Sequence, residues 1–429
     1  MSPTALDRTE QQPASIDLSR RDLAVDFTRV VCVVLVVAAH LLMVGVGFDA
    51  SGAIVVSKPV TEEPWFAAAT VVGQIMPLFF ALGGFASITA WRSLQRRGGD
   101  AAGYLRGRLV RLVEPTLPVF VFFGLAIGAA TLAGAPAGLL DGIVAGIGTP
   151  LWFLAAYLLC QWFVPFMARM HERAPWWTLT ALAAGAVLVD AARAASGVEP
   201  LGLLNLVFVW LFVQQLGFFY ADGVLQAAPR GVLVAIALGA GALLFAGVAI
   251  GVYSPDMLVN LNPPRFALGL LGAIQLCVLV LVHPALTALM RTRPARAFTF
   301  VVGSRLMTVY LWHLTCIIAI TGLCLLIPGA VPAPLSDAWW ASRPLVLLAA
   351  FGLVLLLSLG VGRFESGPRP LRDDEVAPGW ARVSVAALLA FIPPFLVMRL
   401  GLDGWLALLG IVCFSASLLL VRGRVRASA

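Results

Sequence analysis

Residues 29–40 read RVVCVVLVVAAH: an arginine, ten uncharged and almost wholly aliphatic residues, then a histidine. Ionisable side chains at the two ends of such a run need a reason, because a charge inside hydrocarbon costs about 2.5–3.5 kcal/mol even on insertion scales. An eleven-residue step on an α-helix turns through about 1100°, three turns plus about 20°, and rises about 16 Å. Arg29 and His40 therefore share one face of a membrane-crossing helix. On that helix Arg29 sits about one turn inside a boundary and His40 near the bilayer centre, where an imidazole must face a polar interior or a partner. Snorkelling of Arg29 to the headgroups and a purely structural, hydrogen-bonded His40 are the bland alternatives. The shared face suggests a polar track from one membrane surface to its centre.

Composition carries the membrane reading over the whole chain. Of 429 residues, 60% are hydrophobic and only 12% charged, with a mean hydropathy of +0.95, which excludes the soluble globular class. Apolar stretches of about 17–25 residues predict an all-α polytopic membrane protein with twelve transmembrane helices. They fall near 24–46, 65–91, 112–133, 149–168, 176–192, 203–221, 231–252, 266–290, 299–328, 344–362, 383–399 and 404–421. Lys and Arg mark the cytoplasmic segments. Most of the 29 basic residues fall between alternate spans only if both termini are cytoplasmic, with a dense cluster at 92–111 inside and few, such as Lys58, Arg193 and Arg265, outside. The net charge of +7 is then topology and not a nucleic-acid footprint.

The expected organisation is a polar cytoplasmic tail (1–20), a ten-helix domain (21–362), a cytoplasmic loop (363–382), a transmembrane hairpin (383–421) and a basic tail (422–429). Residues 1–20 lack the apolar core of a cleavable signal, so the first span is expected to be an uncleaved anchor. The six cysteines lie within spans and show no C-x-x-C spacing, which supports neither a disulfide framework nor a metal site.

Three further stretches hold polar groups at membrane depth. SRLMTVYLWHLT (304–315) repeats the first pattern, with Arg305 towards the cytoplasmic end and His313 at the depth of His40; Tyr310 and Trp312 beside it also fit ordinary aromatic packing. In QIMPLFFALGGF (74–85), Pro77 is expected to kink the helix and Gly83–Gly84 to thin it. Close packing on a neighbour is one reading; Gln74 before the proline favours a cavity. In WRSLQRRGGDAAGYLRGRLVRLVEP (91–115), Arg108 and Arg111 are three apart and share a helix side, whereas Arg106 does not. Paired guanidinium groups suit phosphate oxygens; anchoring in anionic headgroups is the alternative.

These features resemble acyltransferase family 3, bacterial integral-membrane enzymes that O-acylate sugars and other hydroxyl-bearing molecules. The residues carrying the resemblance are DFTRVVCVVLVVAAH (26–40), PLFFALGGF (77–85), Arg108-x-x-Arg111, LWFLAAYL (151–158) with Trp152, and YLWH (310–313), over about residues 20–362. The resemblance implies an acyl-CoA donor, acetyl-CoA or another, engaged from the cytoplasm, no permanently bound cofactor, His40 and Arg29 as catalytic residues, and Arg108 and Arg111 facing the donor. Arg305 is expected at CoA phosphates or at a developing oxyanion, and His313, Tyr310, Gln74 and Trp152 at the substrate.

Acyl transfer to a hydroxyl needs a base, and a neutral imidazole suits that role; a covalent acyl-histidine relay is the other route. The expected acceptor is a lipid-linked sugar, an exported glycan or a glycosylated natural product, at the plasma membrane of a bacterium. Membrane lipids are the remaining partners, and no nucleic acid is expected. The rival reading is a secondary transporter or lipid flippase using the same Arg and His residues as a pathway.

Overall fold

A computed structural model describes residues 22–48, 52, 54–135, 148, 150–365, 367, 369 and 375–425. The expected tail 1–20, the end of the basic tail and residues 366, 368 and 370–374 of the 363–382 loop lie outside the described residues. Fourteen helices of eight residues or more are described: α1 (Leu23–Leu42), α2 (Phe66–Gly73), α3 (Met76–Arg96), α4 (Ala101–Leu132), α5 (Leu151–Arg173), α6 (Pro175–Ser196), α7 (Asn205–Ala221), α8 (Arg230–Ala249), α9 (Ala267–Leu289), α10 (Arg293–Gly303), α11 (Leu306–Leu325), α12 (Asp337–Val361), α13 (Trp380–Leu400) and α14 (Gly404–Leu420). A hairpin of β1 (Gly45–Phe48) and β2 (Ile54–Ser57), pairing Gly45 with Ser57 and Phe48 with Ile54, follows α1.

Eleven helical segments among the described residues are long and apolar enough to cross a membrane, with α2–α3 counted as one. The protein is an all-α polytopic membrane protein. Of the twelve expected spans, the last is a shorter apolar helix, α14, of 17 residues; at 1.5 Å per residue it reaches about 25 Å, less than a typical hydrocarbon core of about 30 Å.

Several expected boundaries are corrected. The second span is a broken helix, not a continuous one kinked at Pro77: α2 stops at Gly73 and Pro77 occupies the first turn of α3, where its missing N–H costs nothing. The span expected at 299–328 is likewise two helices, α10 and α11, separated at Ser304–Arg305. α4 starts at Ala101, eleven residues before the expected span, because Asp100 caps it by accepting from Gly103 N at 2.8 Å. Arg106, Arg108 and Arg111 therefore all lie on α4, consistent with the shared helix side of Arg108 and Arg111. α12 also starts earlier than expected, at Asp337, with Ser336 as its side-chain cap.

Small residues set the closest packing. A Cβ on Gly217 of α7 would stand 1.9 Å from the Ala81 carbonyl oxygen, and one on Gly84 of α3 would stand 2.3 Å from that of Gln214. The backbones of α3 and α7 are thus in direct contact, the membrane solution to helix association where no hydrophobic drive exists. Phe80 stacks on Trp210 with centroids 4.1 Å apart, and Trp152 stacks on the same indole at 5.6 Å. α10–α11 run beside α1, with Gly303 against Val30 and His313 against His40. The C-terminal pair α13–α14 packs on α4 and α5, with Phe414 edge-to-face on Phe120 at 4.9 Å. It is part of the bundle and not an appendage.

Candidate functional site

α1, α3, α4, α5 and α11 enclose a cavity of about 640 Å³. Arg29, Arg108 and Arg111 stand in its wall, as do His40, His313, Tyr310, Gln74 and Trp152. Eight of the nine expected site residues are thereby brought to one space from four helices and the α2–α3 break. The ninth, Arg305, is not in the wall: it caps α11 from outside the helix, and its guanidinium packs on Gly362. Beside it Glu365 accepts from Thr308 N at 2.5 Å and from the Thr308 hydroxyl, satisfying the first turn of α11.

The two histidines meet. His313 Nε2 lies 3.2 Å from His40 Nδ1. His313 Nδ1 is 2.7 Å from the Tyr310 carbonyl oxygen and 3.1 Å from that of Val309, and His40 Nδ1 is 2.9 Å from that of Val36. A carbonyl only accepts, so both Nδ1 atoms carry hydrogen when the rings are neutral, and His313 Nε2 is an acceptor facing the Nδ1–H of His40. The same assignment leaves His40 Nε2 with its lone pair, and no hydrogen bond to it occurs among the described residues. His313 is buried, whereas His40 is only half-buried and lines the cavity. His313 thus orients its neighbour, and His40 presents a proton acceptor. α1 ends two residues beyond His40, so the histidine stands in the last turn, with β1 following.

A buried network aims Arg108. Its Nε donates to the Tyr104 hydroxyl at 3.2 Å and its Nη2 to the Ala86 carbonyl at 3.4 Å. Tyr104 in turn donates to Gln161 Oε1 at 2.8 Å, and Gln161 Nε2 donates to Ser87 Oγ at 3.0 Å. Ser87 and Gln161 are fully buried, so the network is fixed. Neither Arg108 nor Arg111 has a carboxylate within ion-pair distance among the described residues. Cations without counter-ions in a membrane cavity make an anion site. Arg29 has a distant partner, Asp26, at 3.9 Å. Arg106 points elsewhere, as its spacing implies: it donates to the carbonyls of Val421 and Arg369, tying α4 to the end of α14 and the connector before α13.

Away from the arginines the walls become aliphatic, with Val36, Leu314 and Ile318 leading to Val46, Ile54 and Val56 of the β-hairpin. Lys58 and Asn262 are the polar residues there. Tyr157 of α5, absent from the sequence-based candidates, also lines the cavity. Its ring needs Gly83, where a Cβ would meet Cε2 at 2.9 Å. Tyr310 and Trp152 have structural employment beside their place in the wall: Tyr310 donates to the Pro150 carbonyl at 2.7 Å, and Trp152 belongs to the aromatic stack.

The other two histidines have carboxylate partners outside the cavity. His283 Nε2 lies 2.9 Å from Asp22 Oδ2, and His171 Nε2 3.0 Å from Asp222 Oδ2. Burial works to raise the Asp222 carboxyl, but its bonds to Arg92 and His171 prevail and hold it below its ordinary value. No group of three or more metal-ligating residues occurs among the described residues.

Nothing among curated proteins or solved structures matches the chain. A family model described as an acyltransferase domain, that of acyltransferase family 3, matches residues 22–363, a segment that contains every residue of the cavity named above and stops short of α13–α14. By that match over most of its length, the chain belongs to the membrane acyltransferases of this family.

Proposed function

We propose that the protein transfers an acyl group, acetyl or a related short acyl, from cytoplasmic acyl-CoA to a hydroxyl of a carbohydrate, lipid-linked glycan or glycosylated natural product. The observation that carries this reading is the pairing of His40 with His313 in the wall of a cavity that also holds Arg108 and Arg111, which have no counter-ion among the described residues. The arginines bind phosphates of the donor and bring its thioester towards the histidines, about 16 Å along α1 from Arg29. His40 Nε2 accepts the proton of the acceptor hydroxyl as the hydroxyl oxygen attacks the thioester carbonyl carbon. The C–S bond then breaks, and the CoA sulfur leaves and takes the proton from His40. His313 keeps the His40 ring in the required tautomer.

The topology drawn from the basic residues puts the arginine end in the cytoplasm, where acyl-CoA is made, and the hairpin end on the opposite face of a bacterial plasma membrane. The test is incubation of purified full-length protein in detergent with acetyl-CoA and a panel of polyols and glycosides, following free CoA with a thiol reagent. CoA release with acyl transfer is the expected result. Folded protein that releases no CoA refutes the reading in favour of transport.

A further inference from the structure

The second span is interrupted where it meets the cavity, and the interruption is built, not frayed. α2 ends at Gly73 and α3 begins at Met76. Gln275 of α9 stitches the gap: its Nε2 donates to the Gln74 carbonyl at 2.7 Å, and its Oε1 accepts from Leu78 N at 3.0 Å. Met76 N donates to Gln74 Oε1 at 3.3 Å, and Pro77 has no N–H to satisfy. Among the side chains at the break, the Gln74 amide nitrogen is left over. Gln74 is 3% exposed and stands in the cavity wall, and its Nε2 has no hydrogen-bond partner among the described residues. An unmade buried donor costs about 1–3 kcal/mol. Such a cost is retained where a ligand supplies the missing acceptor.

The electrostatics say which acceptor. α3 runs for 21 residues, so its first turn carries the positive end of a full helix dipole, equivalent to about half a charge. A donor at that end favours an oxygen bearing negative charge over a neutral hydroxyl. The depth also fits. Arg108 reaches α3 at Ala86; eleven residues back along α3 is Ile75, just as eleven residues along α1 lead from Arg29 to His40. The break and the histidine pair therefore stand about equally far, 16 Å, from the arginines.

We infer that Gln74 Nε2, backed by the α3 N-terminus, binds the carbonyl oxygen of the acyl group and holds the oxyanion that forms there. This rests on the acyl-transfer reading above and assigns a role that reading leaves empty. When the hydroxyl oxygen bonds to the carbonyl carbon, the C=O electron pair moves to oxygen and the hydroxyl proton moves to His40. The Gln74 N–H donates to that oxygen until the pair returns, the C–S bond breaks, and the thiol leaves with the proton. No group other than donor and acceptor is consumed.

The test compares wild type with Gln74→Leu and Gln74→Glu in full-length purified protein. Removing one oxyanion donor lowers kcat about 10²- to 10³-fold, so both variants should lose that much CoA release and transfer. CoA affinity by calorimetry and thermal stability in detergent should stay near wild type. Gln74→Glu keeps the shape while replacing the donor with an acceptor, so it decides the matter if the leucine variant does not fold. Variants with kcat close to wild type overturn the inference, as does a rise confined to the KM of the acceptor, which would make Gln74 an acceptor contact. A parallel fall in CoA affinity and melting temperature also overturns it, since that marks a merely structural residue. Absence of CoA release by the wild type overturns the acyl-transfer reading itself, a different result from an active wild type with an equally active Gln74→Leu.

Discussion

Tyr104 decides how Arg108 is presented to the cavity, and nothing in the sequence around it announces that. Charged residues in apolar runs are visible because they are costly, which is why Arg29, His40, Arg108, Arg111 and His313 stand out in the sequence. Tyr104, Ser87, Gln161 and Tyr157 carry no charge, and the network joins residues 57 and 74 positions apart. No periodicity encodes such contacts. Arg305 is the converse case: its charge and position match those of Arg29, but its guanidinium packs on Gly362 and is not in the cavity wall, because the helix breaks there. Tyr104→Phe removes a hydroxyl that bridges Arg108 and Gln161 and leaves the ring in place. A hydrogen bond to a charged group contributes about 1.5–3 kcal/mol, so CoA affinity measured by calorimetry should fall about tenfold or more, with kcat at saturating donor nearly unchanged. Unaltered affinity would show that the network does not position Arg108 for the donor.

Helices fared better than the interruptions within them. Hydropathy reveals a span as an average over about twenty residues, and that average is blind to a two-residue gap such as Gln74–Ile75 or Ser304–Arg305. Pro77 was visible, but a proline marks a helix start as readily as a kink, and which it is depends on Gln275, some two hundred residues away. The Gly83–Gly84 pair was legible as a thin place, and in the structure the two glycines serve different neighbours, Gly83 admitting the Tyr157 ring and Gly84 the backbone of α7. The contact between α3 and α7 yields a sharp expectation. Gly217→Ala drives a methyl into the Ala81 carbonyl and should destabilise by about 1–3 kcal/mol or more, the cost of overpacking. Gly239→Ala on α8, where an added Cβ meets nothing within 4 Å, should not destabilise. Thermal unfolding in detergent checks both, and equal melting temperatures for the two variants would refute the close approach.

For the whole molecule, the bundle unites residues between Arg29 and Leu325 around one cavity, with an arginine-lined end and an aliphatic end reached past a histidine pair. The all-α membrane class and the family were readable from composition and motifs. The place of α13–α14 was not, since an apolar hairpin shows no preference for a partner until α4 and α5 are arranged to receive it. Sidedness follows from charge alone and can be read directly. With Cys324, the only cysteine not fully buried, replaced by serine, Ser57→Cys should react with an impermeant maleimide in intact cells and Arg97→Cys should not. The reverse pattern would invert the topology and put the donor site on the wrong face. The central claim, that a histidine pair in this cavity transfers acyl groups from acyl-CoA, is tested most directly by the rate of acyl transfer from acetyl-CoA for purified wild type and His40→Gln, normalised to folded protein. Glutamine keeps polarity and reach but accepts no proton at neutral pH, so transfer should fall about 10²- to 10⁴-fold with CoA binding intact; a His40→Gln protein that transfers at the wild-type rate would contradict the account.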